Sequence, residues 1–185
     1  MLSRTAAVLI LIDFQGKLAQ SMCDKEDLFA NTVRLIRGFR ALGLPLLVTE
    51  QTPEKLGTTI PEVALELGDA KPIAKETFSC WANPLFHDQL EALTRRHVVL
   101  TGIESHVCVY QTALDLMQNG YTVHLVTDAV CAPPQRQFGE VAGAEHDAAA
   151  LVGQPEQVVG AQARLDVLEG DIVRGLTLAV GRSEE

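Results

Sequence analysis

The chain has 185 residues, of which 47% are hydrophobic and 21% charged, and its formal net charge is -9. Such a composition describes a globular chain with enough apolar residues for one core, and excludes a disordered tract or a fold that depends on metal or disulfides. The acidic balance, with no cluster of Lys or Arg, argues against a broad nucleic-acid footprint or attachment to an anionic membrane, although a local RNA contact stays open.

Ala6 to Ile12 (AAVLILI) is a continuous apolar run, as expected of a parallel strand covered on both faces. A cleavable leader would remove that strand, so none is expected. Asp24 to Leu42 places Leu28, Val33, Leu35, Ile36, Phe39 and Leu42 at helical spacing, and Gly43 ends it. Pro45 to Thr49 (PLLVT) is a second strand. A polar loop with Pro53, Gly57 and Pro61 leads to a short helical piece at Glu62 to Leu67 and a brief strand at Pro72 to Ala74. Leu85 to Leu93 reads as helix, His97 to Thr101 as strand, Val107 to Gln118 as helix and Tyr121 to Thr127 as strand. Alternating strands and helices imply βαβ crossovers and a mostly parallel sheet, so the expected fold is a three-layer, Rossmann-like α/β domain spanning residues 1–185. Every apolar run is interrupted before it reaches membrane-spanning length.

Ligands in such sheets bind beyond the carboxyl ends of the strands. Asp13 follows the first strand, Lys75 the third, and Cys108 lies just past the fourth. Cys108 in TGIESHVCVYQTALDL sits near a helix N-terminus, whose free N–H groups and dipole lower a thiol pKa, while the loop after Gly102 could aim N–H groups at a developing oxyanion. A buried structural thiol is an equally open reading. Asp13 closes a buried run, where a carboxylate needs a partner or a task; a cap or loop hydrogen bond would also satisfy it. Lys75 is a solvated loop charge or a cation that favours thiolate. Cys23, Cys80, Cys108 and Cys131 form no C-x-x-C pair and read as reduced thiols of an intracellular protein, cytoplasmic or, given the short basic N-terminus, mitochondrial.

The segments LILIDFQGKL, LLVTEQTPEKLGTTIPEV, IAKETFSCW and VVLTGIESHVCVYQTALDLMQNGYTVHLVTDAV resemble the isochorismatase-like cysteine hydrolases, in particular the isochorismatase-domain-containing branch, over roughly residues 6–130. The resemblance implies a catalytic triad of Asp13, Lys75 and Cys108. It also implies a non-proline cis peptide at Ile103-Glu104 and an oxyanion hole built from the N–H groups of Glu104 and Cys108. Gln15, Phe78 and Trp81 follow the strand ends that carry Asp13 and Lys75 and are candidate pocket residues, with ordinary packing as the alternative. Nicotinamidase-like relatives add an Asp and histidines after the second strand to hold a metal. Here that stretch is Glu50-Gln51-Thr52-Pro53, and His87, His97, His106, His124 and His146 lack ligand spacing, so neither metal nor cofactor is expected. His106, in the cysteine loop, is a candidate supporting group.

Residues 131–185 depart from the family. CAPPQRQFGEVAGAEHDAAALVGQPEQ does not follow its continuation into a further helix, a sixth strand and a closing helix. The expected activity is hydrolysis of a small amide-like or vinyl-ether substrate through a covalent intermediate, by a protein that forms homo-oligomers. The alternatives are a ribonuclease on the same fold and an inactive binding protein that has kept the fold.

Overall fold

The structure, a computed structural model, describes Leu2, residues 4–131 and the backbone of residues 165–168. Six strands form one parallel sheet in the order β3-β2-β1-β4-β5-β6: β1 (Ala7–Ile12), β2 (Leu46–Gln51), β3 (Ile73–Lys75), β4 (His97–Ile103), β5 (Thr122–Cys131) and β6 (Leu165–Leu168). The chain builds outward from β1 to β3 on one side and resumes at β4 on the other. The order therefore reverses between β1 and β4, and a crevice opens there beyond the strand ends.

Every residue of β1 is buried, because alternate side chains enter different layers. Ala7, Leu9 and Leu11 pack with Leu35, Ile36 and Phe39 of helix α2 (Lys25–Ala41). Val8, Ile10 and Ile12 face the other way, onto Phe86 and Leu90 of α5 (Pro84–Ala92) and Leu116 of α6 (Tyr110–Gln118). The chain is thus a three-layer α/β fold, as its strand and helix alternation predicts.

Three short helices lie outside that reading or shift its bounds. These are α1 (Gly16–Gln20), α3 (Pro53–Leu56) and α4 (Pro61–Ala64), each too short for an apolar period to register, although Pro at N1 marks the last two. The helix expected from Val107 starts earlier, as a π-helical turn at Ser105–Val109 that runs into α6. The sixth strand, left without a counterpart by the divergent tail, is present: LDVL at Leu165–Leu168 pairs in parallel with Val123 to Val126. At four residues it gives no alternation long enough to read. The rest of the tail lies outside the described residues.

Gly102 is required by close approach. Its φ is +152°, and a Cβ there would lie 2.5 Å from Cβ of Ile12, its register partner on β1. The next peptide bond but one, Ile103-Glu104, is cis. Among the described residues no helix is long and apolar enough to cross a membrane.

Candidate active site

Asp13 leaves β1 with a positive φ of 56°, a conformation Asp tolerates better than most residues. Its N–H donates to the carbonyl of Thr49 at 3.2 Å. Its carboxylate is buried, at 1% exposure, and fully engaged. Thr49 Oγ1 donates to Oδ1 at 2.7 Å and Lys75 Nζ donates to Oδ2 at 2.7 Å.

Lys75 is the last residue of β3, and its ammonium is as buried as the carboxylate it meets. Besides Asp13 it donates to Gln51 Oε1 at 2.6 Å and to the carbonyls of Thr77 and Phe78 at 3.2 and 3.3 Å. Burial alone would lower its pKa, but the Asp13 carboxylate, with smaller contributions from Cys80 and Cys108, leaves it raised, so Lys75 is held as a cation.

Cys108 lies in the π-helical turn, at 6% exposure. Its thiol is pushed up to about 12, first by burial and then by the Asp13 carboxylate beside it, with Lys75 pulling the other way. This corrects the expectation of a thiol depressed by helix terminus and lysine. The charge of Lys75 is already spent on Asp13, and a thiolate would be a second anion in the same dry space. The structure therefore brings together Asp13, Lys75 and Cys108 as a neutral thiol facing a carboxylate–ammonium pair.

Sequence reasoning missed the side chains that frame this trio. Thr49 and Gln51, on β2, hold Asp13 and Lys75. Cys80 is fully buried, its sulfur donating to Thr49 Oγ1 at 3.7 Å and its N–H to Thr112 Oγ1 at 3.0 Å. Burial also pushes the Cys80 thiol up, to about 11. A strand-end Thr, and a Gln just after it on the same sheet edge as Asp13, were the available signals.

The pocket candidates take different places. Gln15 is completely buried and pins the backbone: its amide donates to the carbonyls of Gln51 and Gly57 at 3.1 and 2.6 Å and accepts from Gln51 N–H at 2.6 Å. It is a scaffold for the loop after β2 rather than a lining residue, since all its polar atoms are turned to backbone. Phe78 is exposed, and Trp81 sits edge-on to His87 and Tyr121. A cavity of about 340 Å³ beside the ends of β2 and β3 is lined by Thr52, Ala74, Lys75, Thr77 and Asn83 among others, and none of the three candidates takes part. In the cysteine loop, the Ser105 hydroxyl and both ring nitrogens of His106 are buried without a hydrogen-bond partner. Among the described residues no three His, Cys, Asp or Glu side chains gather as a metal site.

Residues 7–152 match the isochorismatase domain. The chain belongs to the isochorismatase family. An isochorismatase domain-containing protein 2 from Xenopus laevis is 35% identical over 135 residues, which is 72% of this chain and 64% of that protein. An isochorismatase domain-containing protein 1 from Danio rerio is 37% identical over 69% of this chain and 45% of its own length. The chain thus spans about two thirds or less of these relatives. Among solved structures, the MAR1 ribonuclease of Caenorhabditis elegans superposes with a TM-score of 0.66 at 38% identity, covering 71% of this chain and 68% of that one. The YcaC gene product of Escherichia coli, an octameric hydrolase of unknown specificity, gives 0.71 at 27% identity, covering 90% and 77%. The isochorismatase match extends past residue 130, where motifs in the sequence stop being legible.

Proposed function

We propose that this isochorismatase-family hydrolase uses Cys108 as nucleophile, Asp13 as proton carrier and Lys75 as the cation that holds the Asp13 carboxylate in place. The observation that carries the reading is the buried contact of Lys75 Nζ with Asp13 Oδ2 at 2.7 Å, with the Cys108 thiol beside the same carboxylate. A neutral thiol next to a carboxylate is a nucleophile with its base in place. Sulfur attacks the carbonyl carbon of a small amide-like substrate while the thiol proton passes to Asp13. The carbonyl oxygen becomes an oxyanion, received by the N–H groups of Glu104 and Cys108 in the loop that begins at Ile103. Collapse expels the amine, which takes the proton from Asp13 and leaves a thioester on Cys108. Water then gives a proton to Asp13 and attacks the thioester. The acid leaves and the thiol regains its proton.

No step requires a metal or organic cofactor. The C–N bond breaks and a C–O bond replaces it, so water is the only co-reactant. Phe78 and Trp81 follow Lys75 in the chain and, although neither lines the cavity beside it, are proposed to contact substrate from the mouth of the site. Self-association is proposed as well, since exposed Leu65, Phe78 and Leu85 supply apolar surface and the Escherichia coli relative is octameric.

A ribonuclease reading draws on the likeness to the Caenorhabditis elegans MAR1 ribonuclease. The net charge of -9 weighs against it, because phosphate binding depends on basic side chains. Activity profiling of wild type and Cys108→Ala across small amides and RNA separates the two. Amide turnover that vanishes with Cys108 supports the proposal; RNA cleavage unaffected by Cys108→Ala, with no amide turnover, overturns it.

A further inference from the structure

Two thiols outside the catalytic centre meet across the molecule. Cys23, in the turn between α1 and α2, and Cys131, the last residue of β5, lie 108 positions apart in sequence with their sulfurs 2.8 Å apart. That separation is less than about 1 Å beyond the ~2.05 Å of a disulfide bond. The Cys131 thiol also donates to the Cys23 carbonyl at 3.3 Å, which fixes the strand end against the turn. Both residues are half-buried, whereas Cys80 is sealed in the core and Cys108 is nearly so. A reagent from solution therefore meets Cys23 and Cys131 first.

The location gives the contact consequence. Cys131 is the register partner of Ile103, the residue that opens the loop leading to Cys108. Cys23 lies in the turn that follows α1, the first helix after Asp13. A bond between them would tie the segment downstream of Asp13 to the strand flanking the cysteine loop.

We propose that Cys23 and Cys131 are a redox pair that closes into a disulfide when the protein meets a low-molecular-weight disulfide such as oxidised glutathione. One thiolate of the pair attacks a sulfur of the reagent, breaking its S–S bond and releasing one small thiolate. The second thiolate attacks the protein sulfur of the mixed disulfide, forming the internal bond and releasing the other small thiolate. Two protein thiols are oxidised and one small disulfide is reduced to two thiols, with the protons passing to solvent and back to the released thiolates. Because the geometry already holds the sulfurs in contact, the second step is intramolecular and outruns accumulation of the mixed disulfide.

The test equilibrates the full chain with glutathione mixtures of increasing oxidation, quenches with an alkylating agent and maps the thiols by non-reducing peptide mass spectrometry. The expected result is a Cys23–Cys131 linked peptide that is lost on treatment with dithiothreitol, while Cys80 and Cys108 remain alkylatable once the chain is unfolded. Cys23→Ser and Cys131→Ser should each abolish that peptide, and the oxidised wild type should unfold at higher denaturant than its reduced form. Cys23 and Cys131 still alkylatable in fully oxidised glutathione, separate stable glutathione adducts on them, or a link from either to Cys80 or Cys108 would overturn the proposal. The mapping is made on the unmodified protein, so it does not depend on either variant folding.

Discussion

Replacing Lys75 by Met keeps the length and much of the volume of the side chain but removes the ammonium. The Asp13 carboxylate would then sit at 1% exposure with the Thr49 hydroxyl and the Cys108 thiol beside it but no cation. Gln51 Oε1 and the carbonyls of Thr77 and Phe78 would each lose a hydrogen bond of 2.6 to 3.3 Å. Stranding one partner of a buried pair costs about 3 to 5 kcal/mol, whereas an exposed pair is worth about 0 to 1 kcal/mol. Urea unfolding of Lys75→Met should therefore show a loss near the larger figure, a large fraction of the stability of a domain this size. The double variant Asp13→Asn/Lys75→Met carries neither charge, and should be more stable than Lys75→Met alone. A loss of under about 1 kcal/mol for Lys75→Met would mean that Lys75 is solvated, and the buried-pair reasoning would fail.

Stability should also fall in alkali, because the folded chain keeps the thiols of Cys108 and Cys80 protonated up to about 12 and about 11. An unfolded thiol ionises near pH 8.5, so this stabilisation is complete below that pH and is lost as pH rises toward the folded values, by about 1.4 kcal/mol per pH unit for each thiol. Cys108→Ala removes one contribution and should flatten the decline between about pH 9 and 10.5; an unchanged slope would argue that the thiol is not held neutral. Asp13→Asn should separate reactivity from turnover: with the anion gone, Cys108 pairs with Lys75 and alkylates faster at pH 8, while amide hydrolysis falls by about 10²-fold or more. Slower alkylation would mean that the carboxylate is not what holds the Cys108 thiol up. Gly102→Ala should cost at least about 2 kcal/mol in thermal or urea unfolding, since its Cβ meets Ile12 at 2.5 Å at a φ suited to glycine; a neutral effect would show that β4 can move away from β1.

The central strands were legible because burial on both faces leaves a plain apolar run, as in AVLILI, and the helix at Lys25–Ala41 because its period persists over several turns. Asp13, Lys75 and Cys108 stood out as polar residues just where such runs end, and the sheet gathers strand ends at one edge. What the residues could not convey is which charge neutralises which. A lysine and a helix terminus near a thiol read as thiolate chemistry, yet Lys75 is committed to Asp13, and the thiol moves in the opposite direction. Thr49, Gln51 and Cys80 join the site through contacts of 31 to 36 positions in sequence separation or more locally through Lys75, which no short-range pattern reveals. Gln15 looked like a pocket residue because of where it falls, but its three backbone hydrogen bonds make it a pin.

The central claim is that Cys108 carries the covalent intermediate. Brief exposure to an activated ester such as p-nitrophenyl acetate, followed by acid quench and peptide mapping, tests it directly. One acetyl group should appear on Cys108, disappear as product acid forms, and be absent from Cys108→Ala. Acetylation confined to Cys23 or Cys131, or a Cys108→Ala variant that turns over at the wild-type rate, would contradict the account.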